Sequence, residues 1–131
     1  MEKQKYAAIV LAAGSGKRMN SKVHKQYLII QDRPVLYYSL KAFEDSAVDE
    51  IVLVVGKGEE EFCRREIVDK YGISKVKAIV EGGKERYHSV FEGLKQTSDA
   101  DYVLIHDGAR PFVNQEIIRR CMLEVPEYQA C

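Results

Sequence analysis

The stretch Tyr6-Ala7-Ala8-Ile9-Val10-Leu11-Ala12-Ala13-Gly14-Ser15-Gly16-Lys17-Arg18-Met19 organises the reading of this chain. Tyr6 to Leu11 is an apolar run of the kind that forms a buried strand. Small residues and two glycines follow, letting backbone come close to a ligand, and then two cations. Bare N–H groups beside Lys17 and Arg18 suit a polyphosphate. A second basic cluster, Lys22-Val23-His24-Lys25-Gln26, comes soon after. Together they point to a nucleoside triphosphate site, over the plainer alternative of a flexible turn with solvated charges.

Two familiar phosphate motifs do not fit. A dinucleotide-binding G-x-G-x-x-G would start at Gly14 and Gly16, but its third glycine position holds Met19. That fold also wants an acid after the second strand, which here ends Val55-Gly56-Lys57. A dinucleotide-dependent oxidoreductase is excluded on both counts. A Walker A loop requires Gly where Leu11 stands and Ser or Thr where Arg18 stands, so it fails too.

At 131 residues the chain has the size of one domain with a real core. Its 20 basic and 20 acidic residues cancel, so no general affinity for nucleic acid or an anionic membrane is implied. No apolar stretch approaches a membrane span, and Met1-Glu2-Lys3-Gln4-Lys5 leads into a strand without a signal peptide. Cys63, Cys121 and Cys131 lack metal-ligand or C-x-x-C spacing. They read as reduced thiols of a cytoplasmic protein, with Cys63 and Cys121 packing in the interior.

Strand-like and helix-like segments alternate along the chain, with no repeats and no low-complexity linker. Ile51-Val52-Leu53-Val54-Val55 is a continuous β-branched run, the mark of a strand buried on both faces. Val76 to Val80 and Tyr102 to His106 are similar but shorter. Pro34 opens a first helix with Leu36, Leu40 and Phe43 inward. Phe62, Ile67 and Tyr71 mark a second, ended by Gly72. Tyr87, Val90, Phe91 and Leu94 give a third at i, i+3, i+4, i+7 spacing. Asn114 caps a fourth that carries Ile117, Ile118, Cys121, Met122 and Val125 and is closed by Pro126. The final Tyr128-Gln129-Ala130-Cys131 reads as the start of a further strand.

This alternation predicts an α/β fold, a Rossmann-like three-layer sandwich with a mostly parallel sheet and helices on both faces, incomplete at its C-terminus. Ligands of such sheets bind beyond the carboxyl ends of the strands. The glycine-basic loop follows the first strand, and Glu81-Gly82-Gly83-Lys84-Glu85-Arg86-Tyr87-His88-Ser89 follows the third. His106-Asp107-Gly108-Ala109-Arg110-Pro111 follows the fourth. All three unusual segments therefore fall on one rim.

The chemistry of that rim is legible residue by residue. A carboxylate such as Asp107, at a strand end, can hold Mg²⁺ or another divalent cation; standing alone it is as readily a turn cap. Arg110 can pair bidentately with a substrate phosphate, or form a surface ion pair. Gly82 and Gly83 let main chain read the edge of a base, Ser89 can hydrogen-bond the same base or cap its helix, and Arg86 orients the loop. Lys84 and Glu85 suit a solvated turn. His24, His88 and His106 share no metal spacing and read as structural or peripheral. Loop cations, one metal-binding acid and a base pocket suit nucleotidyl transfer, in which an acceptor phosphate oxygen attacks the α-phosphorus of a nucleoside triphosphate and pyrophosphate leaves. Arg18 and Lys25 are assigned to charge on the triphosphate, and an attacking phosphate needs no general base.

These segments, with Lys25-Gln26 between them, closely resemble the 2-C-methyl-D-erythritol 4-phosphate cytidylyltransferase family over essentially the whole chain. The resemblance implies that CTP and the methylerythritol phosphate give the CDP-alcohol and pyrophosphate, in the non-mevalonate route to isoprenoids. By position, Ala12, Ala13, Gly14, Gly82 and Ser89 would contact cytidine or ribose, within a nucleotide site that also takes in Ser15, Gly16, Lys17, Gly83 and Arg86. Arg18 and Lys25 would stabilise the transition state, Asp107 would bind Mg²⁺, and Arg110 would help hold the acceptor. Lys84 stands where some members carry Asp, a change that main-chain contacts would survive.

Family members continue well beyond this length, with a dimer-crossing arm, a second metal-binding Asp and another catalytic Lys. Residues 1–131 thus read as the CTP-binding part of a single nucleotidyltransferase domain, from an enzyme that is a homodimer when whole. The nearest rival is a cytidylyltransferase for ribitol 5-phosphate or a related sugar-alcohol phosphate, in which Gly is commoner at the position of Ala13 and bulkier residues surround that of Ala109. A rival of another class is a non-catalytic nucleotide-binding module, against which the joint presence of Arg18, Lys25 and Asp107 argues.

Overall fold

The computed structural model describes residues 4–12, 29–30, 33–108 and 115–128. Four parallel strands form its sheet: β1 (Tyr6–Ala12), β4 (Glu50–Val55), β5 (Val76–Glu81) and β6 (Tyr102–Asp107), in the order β5-β4-β1-β6. A two-residue antiparallel pair, β2 (Ile29–Ile30) with β3 (Arg33–Pro34), precedes the first helix. The helices are α1 (Val35–Glu44), α2 (Glu60–Cys63, continuing as a wider π-type stretch Arg64–Asp69), α3 (Arg86–Lys95) and α4 (Gln115–Tyr128). Pro34 thus stands at the end of β3, one residue ahead of α1, rather than inside its first turn. Asn114, expected to cap α4, lies outside the described residues.

The run Ile51–Val55 is fully buried, as are Ala7 to Val10 beside it. Alternate residues serve opposite faces of the sheet. Ala8, Val10 and Ala12 join Ile51, Leu53 and Val55 on one face, where Leu36, Leu40 and Phe43 of α1, Cys63 and Ile67 of α2 and Ile118 of α4 cover them. Ile9, Leu11, Val52 and Val54 form the other face, against Val90 of α3. The chain winds outward through β1-α1-β4-α2-β5 on the first face, then returns through α3 on the second to place β6 on the far side of β1. Gly72, at φ 65°, ends the second helical segment as expected, with the Ile73 N–H closing on the Val68 carbonyl at 2.9 Å. Cys63 is buried, whereas the Cys121 side chain and Cys131 lie outside what is described.

Two further sequence expectations are corrected. Of the stripe Tyr87, Val90, Phe91 and Leu94, Val90 packs on the sheet, but Tyr87, Phe91 and Leu94 do not face the core and are 68%, 59% and 42% exposed. The small residues Ser89, Gly93 and Thr97 face the sheet instead. A Cβ on Gly93 would fall 2.8 Å from Ile9 Cγ2 and 3.1 Å from its Cδ1, so α3 rides too low for large side chains beneath it. Phe62 is likewise 42% exposed, and Cys63 takes the buried place on its turn. The second correction concerns Pro126, which does not close α4: the helix runs on to Tyr128, which removes Tyr128 from the strand expected there. Proline cannot donate to the carbonyl four residues back, here that of Met122. The Tyr6 hydroxyl donates to that oxygen at 3.1 Å, so the missing helix bond is replaced from β1. Burial lifts the Tyr6 phenol above its usual range, keeping it protonated as a donor.

At the amino ends of the strands, Lys5 Nζ lies 2.5 Å from Asp99 and 3.4 Å from Glu50, while Lys77 Nζ lies 3.1 Å from Glu50 and 3.5 Å from Asp99. Glu50, only 8% exposed, is thereby paired from both sides. The Lys5 hydrogen bond holds the Asp99 carboxyl below its ordinary value, and the same bond raises Lys5.

Two outcomes follow from these contacts. Tyr6→Phe strands the Met122 carbonyl, and the urea midpoint should report a loss of about 1–3 kcal/mol; an unchanged midpoint would mean Tyr6 is not its working partner. In urea unfolding across pH, Asp99→Asn should differ from the parent most between about pH 5 and 9. The difference should shrink below about pH 4, as Asp99 protonates, and again above about pH 10.5, as Lys5 loses its proton. A pH-independent difference would refute the pairing.

Candidate functional site

All four strands are parallel, so their carboxyl ends share one edge. Asp107 pairs in register with Leu11, Leu11 with Val54, and Val54 with Val80. With strands about 4.8 Å apart, the turn after β6 and the loop after β5 lie roughly 15 Å apart, with the end of β1 between them. Ala12, Asp107, Gly82 and Gly83 are thus brought onto one rim from segments distant in sequence. Ala13, Gly14, Ser15, Gly16, Lys17, Arg18, Lys25 and Arg110 lie outside the described residues.

The loop after β5 is held at both ends. Gly82 N–H donates to the Val55 carbonyl at 2.7 Å, carrying the sheet pattern one residue past β5. At its far end Glu85 N–H donates to His88 Nδ1 at 3.4 Å, while His88 N–H donates to the Glu85 carbonyl at 3.1 Å. The His88 ring also packs on Tyr87, centroids 4.2 Å apart. A Cβ on Gly83 would overlap His88 Cβ at 2.2 Å. Gly83 is therefore demanded by the close passage of His88, besides leaving its main chain bare. The sequence set His88 aside as structural, which its contacts support; the available signal was its place three residues after the helix-entry residue Glu85. Ser89, next along, is 4% exposed, and Arg86 at the start of α3 is exposed.

Asp107 is the last residue of β6 and half buried. The next residue, Gly108, donates its N–H to the Leu11 carbonyl at 2.8 Å, tying this turn to β1. His106 packs edge-on against Phe43, centroids 5.6 Å apart, and so serves the core rather than the rim. Among the described residues no three His, Cys, Asp or Glu side chains form a metal cluster. One carboxylate at an exposed strand end still suits a Mg²⁺-like cation, which takes most of its ligands from phosphates and water. Sequence reasoning missed one feature of the rim: Glu60 of α2 and Glu81 of β5 share a hydrogen bond, which with some burial raises the Glu60 carboxyl.

Helices on both faces of a parallel sheet, with glycine-rich and charged segments on its carboxyl rim, define an α/β protein of the class that binds ligands at its strand ends. A profile of the 2-C-methyl-D-erythritol 4-phosphate cytidylyltransferase (IspD) family matches residues 6–131. The chain belongs to that family. It is 55% identical over 128 residues to the enzyme of that name from Lachnoclostridium phytofermentans, covering 98% of this chain and 55% of that protein. The Clostridium kluyveri enzyme is 52% identical, with 95% and 54% covered. The crystal structure of 4-diphosphocytidyl-2C-methyl-D-erythritol synthase from Anaerococcus prevotii superposes with a TM-score of 0.76 at 31% identity, over 93% of this chain and 51% of that one. The chain thus spans about half the length of the curated relatives it matches.

Gly83→Ala tests the loop geometry. The added methyl must displace His88, and a loss of about 1–3 kcal/mol in urea unfolding is expected. Amide shifts should move within residues 82–89 and stay in place in β1 and β4. A variant with native stability and native shifts would show that Gly83 is not held against His88.

Proposed function

We propose that this chain forms the nucleotide-binding half of an enzyme that transfers the cytidylyl group of CTP to 2-C-methyl-D-erythritol 4-phosphate. A phosphate oxygen of the acceptor attacks the α-phosphorus, the bond to the β-phosphate oxygen breaks, and pyrophosphate leaves. Residues 1–131 are then part of a single nucleotidyltransferase domain. The observation that carries the reading is the meeting, on one strand-end rim, of Asp107, the end of β1 and the clamped Gly82–Glu85 loop, in a chain of this family.

Each group has a role suited to its chemistry. The Gly82 and Gly83 main chain, held by Val55 and His88, reads the edge of cytosine, and the Ser89 hydroxyl hydrogen-bonds the base from the first turn of α3. Arg86 braces that loop. Ala12, Ala13, Gly14, Ser15, Gly16 and Lys17 line the ribose and triphosphate with backbone N–H groups and one cation. Arg18 and Lys25 neutralise charge that develops as pyrophosphate departs. Arg110 pairs with the acceptor phosphate. Asp107 would hold Mg²⁺ or a similar divalent cation, which when bound neutralises phosphate oxygens. No helix among the described residues is long and apolar enough to cross a membrane, and we assign the enzyme to the cytoplasm, acting on small molecules rather than nucleic acid, as a homodimer when whole.

Titration of this chain with Mg·CTP, beside Mg·UTP and Mg·ATP, tests the reading by calorimetry or NMR. Saturable binding that prefers CTP is expected, with little or no steady-state turnover from residues 1–131 alone. In Asp107→Asn the dependence of that binding on Mg²⁺ should disappear. Preference for another nucleotide would overturn the assignment.

A further inference from the structure

Among the described residues, two lysines have no partner, Lys57 and Lys84, and both stand on the rim. Every other described lysine is ion-paired, hydrogen-bonded or set over an aromatic ring. Lys57 follows β4 on a tight turn. Glu59 N–H donates to the Gly56 carbonyl at 3.0 Å, and Gly58, at φ 79°, takes the position that a type II turn reserves for glycine. The acids nearest in sequence are engaged elsewhere. Glu59 folds back on Gly56, where an added Cβ would lie 2.9 Å from its Oε1, and Glu60 shares its hydrogen bond with Glu81. Lys57 is left exposed at the corner of the turn.

Its place on the sheet gives that ammonium a use. Val55, two residues earlier, pairs in register with Ala12 of β1 on one side and accepts from Gly82 N–H on the other. The strand order is β5-β4-β1, so a group held between the end of β1 and the Gly82–Glu85 loop lies over the end of β4 and its turn. The loop itself is short of donors. Gly82 N–H is spent on Val55 and Glu85 N–H on His88 Nδ1, while the carbonyls of Gly82, Gly83 and Lys84 accept no hydrogen bond among the described residues. Such a loop suits the exocyclic amine of cytosine, a donor, better than the two acceptors O2 and N3. Within the nucleotide site proposed above, on which this rests, we infer that Lys57 selects the base: its ammonium donates to O2 and N3 of cytosine. Lysine offers three donors and no acceptor, and its flexible four-carbon stem can carry them over a neighbouring strand end. Uracil keeps O2 but carries a proton on N3, and that N–H meets an ammonium unfavourably. Lys57 therefore favours CTP over UTP, a role separate from neutralising the triphosphate.

Lys57→Met keeps most of the side chain and removes the ammonium. Because Lys57 is exposed and has no partner among the described residues, the urea midpoint of the 131-residue chain should not move. In calorimetric titrations of that chain, the Kd for Mg·CTP should rise about tenfold and that for Mg·UTP by less than about twofold. NMR titration with the phosphate-free nucleosides should show the same selective loss for cytidine over uridine. An equal loss for CTP and UTP that is absent with the nucleosides would make Lys57 a general attractor of phosphate and overturn the proposal. An unchanged Kd for CTP would make it a solvated turn residue and overturn it too. Either result leaves the parent chain's own preference for CTP standing, whereas a parent without that preference would remove the nucleotide site and this role with it.

Discussion

β1 and β4 lie side by side with their side chains withdrawn from water on both faces. The other elements answer to that pair. Each Val, Ile or Leu buried there contributes about 1.5–3 kcal/mol relative to exposure, and only while helices shield both faces. Parallel strands need crossover helices, and two crossovers on one face followed by one on the other supply that cover. Gly93 shows how tight the constraint is, since a single methyl on α3 would meet Ile9 and Val54. The polar contacts follow the same plan: Lys5, Glu50, Lys77 and Asp99 tie the amino ends of three strands to the turn before β6.

The same parallel order creates the site. Strands that run one way end on one edge, so the turns after β5 and β6 and the end of β1 become neighbours although they are distant in sequence. Short backbone bonds fix their relation: Gly82 to Val55, and Gly108 to Leu11. At the β5 end of the rim Glu60 of α2 meets Glu81 of β5, and the hydrogen bond to Glu81 raises the Glu60 carboxyl.

α3 shows where a periodic pattern misleads. Its apolar residues recur at helical spacing, yet the helix turns a small-residue face to the sheet and leaves the larger side chains on its flank. Periodicity reports that a helix has an apolar side; it does not report which side packs first. α4 misleads differently, because the helix-ending reading of Pro126 took no account of the Tyr6 hydroxyl supplied across 116 residues of sequence.

The sequence by itself determined the alternation of strands and helices, the doubly buried run Ile51–Val55, the Gly72 helix end and the family, because these rest on local propensity and on short motifs. It also placed Ala12, Gly82, Gly83 and Asp107 on one rim, since strand-end loops of a parallel sheet cannot fall elsewhere. Tertiary structure alone decided that Gly83 is required by His88, that Glu60 and Glu81 share a hydrogen bond, that Tyr6 replaces the helix bond Pro126 cannot make, and that Tyr87, Phe91 and Leu94 stay at the surface. Each of these depends on the distance between elements set by packing. Such distances come from the whole sheet and its helices together, and no window of sequence contains them.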